Sequence, residues 1–255
     1  EESNGEKPLS PGHYYIRLSQ RYINALSAPT AEGVLFETDL RLRPSGNKGP
    51  LATHFKSFEA YQLNEAWTWE HMALGRARVL AGSNAARESV ERVIAEVRCA
   101  PRNPAKLRSD VLDMRGEMVR HKPPRGALDV KLLRGGLVDV EFIVHFLQLR
   151  HAAALARDNP AMLAPDFAVA IPALANLGLV SEDLWPAYDL LTDALVAGRL
   201  LAPDGTEPPP AAAKALAQAC QCDSYGELVE RLGEARQCVA RNWAEIFEQT
   251  METDL

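Results

Sequence analysis

Between residues 34 and 43 apolar and polar side chains alternate strictly, with Val34, Phe36, Thr38, Leu40 and Leu42 on one face and Glu37, Asp39, Arg41 and Arg43 on the other. Successive side chains of a strand point to opposite faces, so this pattern predicts a half-buried β-strand. Pro44 stops its ladder and Ser45-Gly46 make a turn. Elsewhere the period is helical. Tyr15, Leu18, Tyr22, Ile23 and Leu26 predict a helix over 14–28, which Ser27, Pro29 and Gly33 end. A stripe of Phe58, Tyr61, Ala66, Trp69, Ala73 and Ala77 predicts one long helix over 56–79. Ser83 is placed to cap a helix over 84–99, and Pro101 and Pro104 separate it from another over 105–121. Residues 122–136 are irregular, with Pro123-Pro124, Gly126 and Gly135-Gly136, and a strongly apolar helix follows over 137–155. Shorter helices are expected over 166–177 and 182–201. A linker with Pro203, Gly205 and Pro208-Pro209-Pro210 leads to two more, near 211–219 and 224–250.

One strand cannot make a sheet. Its partners are therefore expected upstream of residue 1, or in strands the pattern does not reveal. The opening residues 1–12 read as a loop, which fits a piece of a longer protein. No internal repeat is evident.

At 47% hydrophobic and 24% charged, the 255 residues are ordinary for a globular protein of one large or two modest domains. The net charge of −6 argues against a general nucleic-acid binder. Its distribution is uneven. Residues 115–134 carry six basic groups against two acidic ones, and residues 223–255 carry eight acids against three arginines. The first stretch suits a polyphosphate and the second suits solvent. Cys220 and Cys222 form a C-x-C without a matching second pair, so the four cysteines read as free thiols of a reducing cytoplasm rather than a zinc site. No apolar run approaches the roughly 20 residues of a membrane span and no signal peptide opens the chain, so a cytoplasmic location away from membranes is expected.

Three segments offer chemistry. On the predicted strand, Asp39 either neutralises Arg41 on a solvated face or binds a divalent cation, with Arg41 or Arg43 near phosphate oxygens. Magnesium favours one or two carboxylates plus substrate phosphates, so Asp39 would be one part of such a site. In the segment Asn64 to His71, two tryptophans two residues apart point in nearly opposite directions on a helix, so at least one is expected in the core. Glu70 and His71 share a turn, where they act as acid and base or position the helix through hydrogen bonds. Before the apolar helix, Gly135-Gly136 would let an anion approach unpartnered N–H groups at the positive end of the macrodipole, with Lys131 and Arg134 nearby. Asp139 suits the first turn for dipole reasons alone. Glu141, His145 and Gln148 form a polar stripe that faces either a cleft or another helix.

These segments, D-L-R-L-R-P-S-G, A-W-T-W-E-H with R-A-R, and G-G-L-V-D-V-E-F, occur together and in this order in one family. The chain resembles bacterial glutamine synthetase adenylyltransferase, from Tyr14 through Phe142, with a weaker likeness across the C-terminal helices. Pro44-Ser45-Gly46 and residues 66–71 look like the C-terminal, adenylylating half. The resemblance implies an α+β, predominantly helical architecture. Residues 1–80 would be the C-terminal part of a DNA polymerase β-like nucleotidyltransferase fold, and residues 81–255 an all-α bundle. It implies Asp39 as the third of three metal-binding carboxylates, the other two lying in a G-S-x-x-D-x-D element expected just before residue 1. ATP is the implied substrate, magnesium the cofactor, and a tyrosine of glutamine synthetase the acceptor. Arg41, Arg43, Lys131, Gly135 and Gly136 would contact the nucleotide. The PII signal protein and glutamine are implied as partner and effector, with no nucleic acid or membrane partner. Two other readings stay open: a docking and regulatory module for glutamine synthetase or PII, and a deadenylylating half that releases AMP by phosphorolysis.

Overall fold

The computed structural model describes residues 8–203, 206–251 and 253; residues 1–7 of the opening loop expected over 1–12, and Gly205 of the linker, lie outside them. The chain divides into two compact units, one of residues 1–74 and 78–97, the other of residues 75–77 and 98–255. Helix dominates both.

In the first unit, Pro11 opens helix α1 (Pro11–Ser27), where its missing N–H costs nothing. A minimal hairpin follows, β1 (Pro29–Thr30) paired antiparallel with β2 (Gly33–Val34), and Gly33 supplies the positive φ of its turn. The predicted strand continues from β2 as irregular chain without a ladder among the described residues. Its first part is tied to the end of α1: Phe36 N–H donates to Leu26 O at 3.0 Å and Ser27 Oγ to Phe36 O at 3.3 Å. A single strand has no neighbour for its remaining backbone groups, which explains why alternation alone does not produce regular structure here.

The helix expected over 56–79 is two helices, α2 (Phe55–Asn64) and α3 (Thr68–Leu74). The break is made by hydrogen bonding. Glu65 and Ala66 N–H both turn onto Tyr61 O, each at 2.9 Å, and Glu70 reaches back to Trp67 N–H at 2.9 Å. The last contact is half of a capping box and starts α3 afresh. Helix α4 (Asn84–Cys99) is capped by Ser83, as expected, through the Ala86 N–H. Its Val93 and Val97 meet Leu74, Phe55, Phe58 and Ile94 in a small core.

The second unit is a helical bundle around α6 (Leu137–Leu155), which is buried on nearly every side. A helix apolar all round requires neighbours all round. They are α5 (Pro104–His121), α8 (Leu184–Leu201) and α10 (Tyr225–Phe247), with α7 (Phe167–Asn176) and α9 (Pro210–Ala219) packed on α8. Asn103, Asp166 and Ser224 cap α5, α7 and α10 by accepting backbone N–H groups. Where α6 meets α10 the Phe247 ring packs against Phe146 and Trp243, with centroids 4.7 and 4.3 Å away.

Candidate functional site

The backbone N–H of Arg41 turns back onto the side chain of Asp39, and the Arg41 guanidinium comes with it. Arg41 Nε lies 2.9 and 3.0 Å from the two carboxylate oxygens, Nη2 lies 2.5 Å from Oδ2, and the Arg41 N–H donates to Oδ1 at 2.9 Å. Both side chains are exposed, so the pair stays open to water and to competing ions. The bond to Asp39 raises the Arg41 pKa further. The apolar side chains of the stretch are uncovered as well: Val34, Phe36 and Leu42 are 53%, 60% and 62% exposed.

Arg43 does a different job. Its guanidinium donates to Leu40 O at 2.6 Å, Gly49 O at 3.1 Å and Asn47 O at 3.5 Å, gathering the loop that follows this segment. The turn within that loop puts Ser45 and Gly46 at positive φ, and a side chain at Gly49 would stand 2.0 Å from Pro44 O. The P-S-G signature is thus a clamped loop, and Arg43 is its clamp.

Glu70 and His71 each take a partner on α2. Tyr61 OH donates to Glu70 at 2.9 Å, and His71 Nε2 meets Gln62 O at 2.9 Å. Burial raises the Tyr61 pKa and the Glu70 carboxylate reinforces it. The pair therefore positions α3 on α2. The tryptophans depart from expectation. Neither enters the core, Trp67 being 71% and Trp69 40% exposed. The helix break displaces them onto the surface, and Tyr61, which sequence reasoning passed over as a stripe residue, carries the buried polar contact instead.

In the second unit the start of α6 is built from its own chain. Leu137 and Val138 N–H donate to Val130 O and Lys131 O, and Gly135 N–H donates to Asp139 Oδ2 at 2.7 Å. Gly135, at φ +75°, packs against the backbone of Arg236, and Gly136 against Val130 O. In the structure the double glycine serves close packing, and Asp139 stands where an incoming anion would. Asp139 is fully buried and held by Arg115, Nε to Oδ1 at 2.5 Å and Nη2 to Oδ2 at 3.2 Å. Arg115 was visible only as one of six basic residues; nothing local marks a partner 24 positions away. Lys131 lies exposed on the loop before the helix. Asp39, Arg41 and Arg43 belong to the first unit, and Lys131, Gly135 and Gly136 to the second.

The polar stripe of α6 is used for helix contacts. Glu141 pairs with Arg76 at 3.4 Å. Gln148 donates to Met162 O and Ala164 O at 2.9 and 3.2 Å, leaving its Oε1 to accept from His145 Nδ1 at 3.1 Å. That network fixes the tautomer, so the buried Nε2 bears a lone pair without a hydrogen-bond partner. Burial pushes the His145 pKa down to about 4; Arg76 and Arg98 add to this and the Gln148 bond opposes it. Because the folded value lies below the unfolded one, the unfolded chain takes up the proton first as pH falls. The neutral histidine's contribution is intact above about pH 6.5 and is lost toward pH 4, a change of ~3 kcal/mol. Urea unfolding of the wild type and His145→Gln from pH 7 to 4 is expected to show a steeper acid loss in the wild type. Parallel curves would refute the assignment.

Among the described residues no cluster of three His, Cys, Asp or Glu side chains is placed to hold a metal, and no helix is long and apolar enough to cross a membrane.

Residues 1–93 match the model of the family described as glutamate-ammonia ligase adenylyltransferase. A bifunctional glutamine synthetase adenylyltransferase/adenylyl-removing enzyme of Brucella suis is 58% identical over 149 residues, covering 58% of this chain and 15% of the relative. The protein of the same description from Mesorhizobium japonicum is 57% identical over 143 residues, 56% of this chain and 14% of its own length. That of Bradyrhizobium sp. is 38% identical over 255 residues, 97% of this chain and 26% of its own length. The chain therefore spans about a quarter or less of the relatives it matches.

Proposed function

The chain belongs to the glutamate-ammonia ligase adenylyltransferase family, and on that premise we propose that it is the part of an adenylylating nucleotidyltransferase domain that carries the third metal-binding carboxylate, joined to its helical bundle. The reaction is transfer of AMP from ATP to a tyrosine hydroxyl of glutamine synthetase, with pyrophosphate leaving. One observation carries this reading. In the stretch that leads into and carries D-L-R-L-R-P-S-G, the apolar side chains Val34, Phe36 and Leu42 are exposed, as is the Asp39–Arg41 pair. Such a segment is built to lie against a sheet while offering a carboxylate to a cleft. The sheet, and the other acids, would come from residues outside this chain.

Asp39 would supply one ligand to magnesium, which when bound neutralises phosphate charge and lowers the pKa of the attacking hydroxyl. Arg41, released from Asp39, would pair with a phosphate oxygen by the same bidentate geometry it uses on the carboxylate. Arg43 holds the loop that follows them. Gly135 and Gly136 keep the structural part the geometry assigns to them. PII and glutamine act as regulators of the whole enzyme on this reading.

In the longer protein that carries this segment, Asp39→Asn is expected to lower transfer of labelled AMP from ATP to glutamine synthetase by about a hundredfold or more. Magnesium-dependent binding of a non-hydrolysable ATP analogue, followed by calorimetry, should weaken in parallel. Unchanged binding and transfer in the variant would remove the metal role of Asp39. Phosphate-dependent release of label instead of its incorporation would mark the domain as the adenylyl-removing one.

A further inference from the structure

Residues 125–132 and the C-terminal part of α8 line a half-open pocket of about 320 Å³ within the second unit. Arg125 and Lys131 line it from the loop, Arg199 lines it from the helix, and Leu132 and Leu195 form apolar walls. The acid among its lining residues is Asp129, whose oxygens are already engaged. Arg125 N–H donates to Oδ2 at 3.1 Å and Leu132 N–H to Oδ1 at 3.2 Å. Those two bonds close the loop on itself and hold positions 125 and 131 on either side of the carboxylate.

Arg125, Lys131 and Arg199 form no ion pair among the described residues. Like charges around one concavity repel each other, and low-dielectric walls concentrate their field. A multiply charged anion at the centre turns that repulsion into attraction. Two guanidiniums and an ammonium match tetrahedral oxygens better than they match a single carboxylate. The volume is at the low end for ligand sites, with space for a phosphate and a modest organic body.

We propose that this cavity is a phosphate-binding site, taking inorganic phosphate or a phosphate monoester on Arg125, Lys131 and Arg199. It uses no residue of the 34–49 segment and stands independently of the adenylylation reading. It also takes Lys131 away from the ATP cleft for which the family resemblance recommended it.

The test is calorimetric titration of the 255-residue chain with inorganic phosphate, and in a second arm with AMP, at an ionic strength held constant with chloride. Saturable binding at one site is expected, weakened about tenfold by Arg199→Gln or by Lys131→Gln. Arg199→Lys, which keeps the charge, is expected to retain most of the affinity. Tighter binding of AMP than of phosphate identifies a monoester as the natural occupant, and equal binding identifies free phosphate. All three side chains are exposed, so circular dichroism and thermal melts should be unaltered by the substitutions. No saturable binding of either probe into the millimolar range would overturn the proposal. So would affinity unchanged in the doubly neutralised Lys131→Gln, Arg199→Gln chain.

Discussion

Asp139→Ala is expected to destabilise the helical bundle by about 3–5 kcal/mol, the usual cost of stranding one member of a buried ion pair. Arg115, 2% exposed, would keep its charge and lose the carboxylate that faces it. Gly135 N–H would lose its acceptor as well. Urea unfolding should show a lower midpoint with an unchanged slope, because the surface exposed on unfolding is the same. A second variant separates charge from packing. Replacing both partners, as Arg115→Met with Asp139→Leu, removes the stranded charge and should recover most of the loss. What remains should be about 1–3 kcal/mol, the cost of the unpaired Gly135 N–H. A loss below about 1 kcal/mol in the single variant would mean that the pair does not hold this junction.

That junction also shows where sequence reading stops. The ends of α6 could be read directly, because two glycines precede an apolar run and the helix follows that run from Leu137 to Leu155. Asp139 was legible as a first-turn acid. Its partner was not, since an arginine on α5 carries no local mark of the residue it will meet. The helix break after Asn64 was half legible. Glu70 lies three positions after Trp67, the spacing of a capping box, but the stripe of apolar residues across 56–79 masked it.

Residues 34–43 teach a related lesson. Alternation states that two faces will meet different surroundings; it does not state that those surroundings belong to the same chain. Val34, Phe36 and Leu42 are exposed here, and the polar positions carry an Asp39–Arg41 pair, one of the two arrangements the sequence left open. Arg43 was expected beside a phosphate because it lies in line with Arg41. In the structure its guanidinium donates to the carbonyls of Leu40, Asn47 and Gly49, and no spacing rule predicts which carbonyls a guanidinium will gather.

Gly135→Ala is expected to cost about 3 kcal/mol, and two separable causes contribute. The first is conformational: φ is +75°, and an L-residue pays ~1–2 kcal/mol in that region. The second is steric. The new Cβ would stand 2.3 Å from Arg236 O and 2.9 Å from its carbonyl carbon, so backbone on α10 would have to move. Overpacking of that kind costs ~1–3 kcal/mol. Gly178 supplies the control, because its φ is +68° and a Cβ there meets nothing within 4 Å. Gly178→Ala should therefore show the conformational cost alone. The difference between the two alanine variants, read by chemical denaturation, isolates the approach of α10 to the start of α6. Equal losses at both positions would show that the contact with Arg236 is slack. Because Gly135 N–H bonds to Asp139, the Gly135→Ala and Asp139→Ala losses should also sum to more than the double variant loses, as expected for neighbours that fail together.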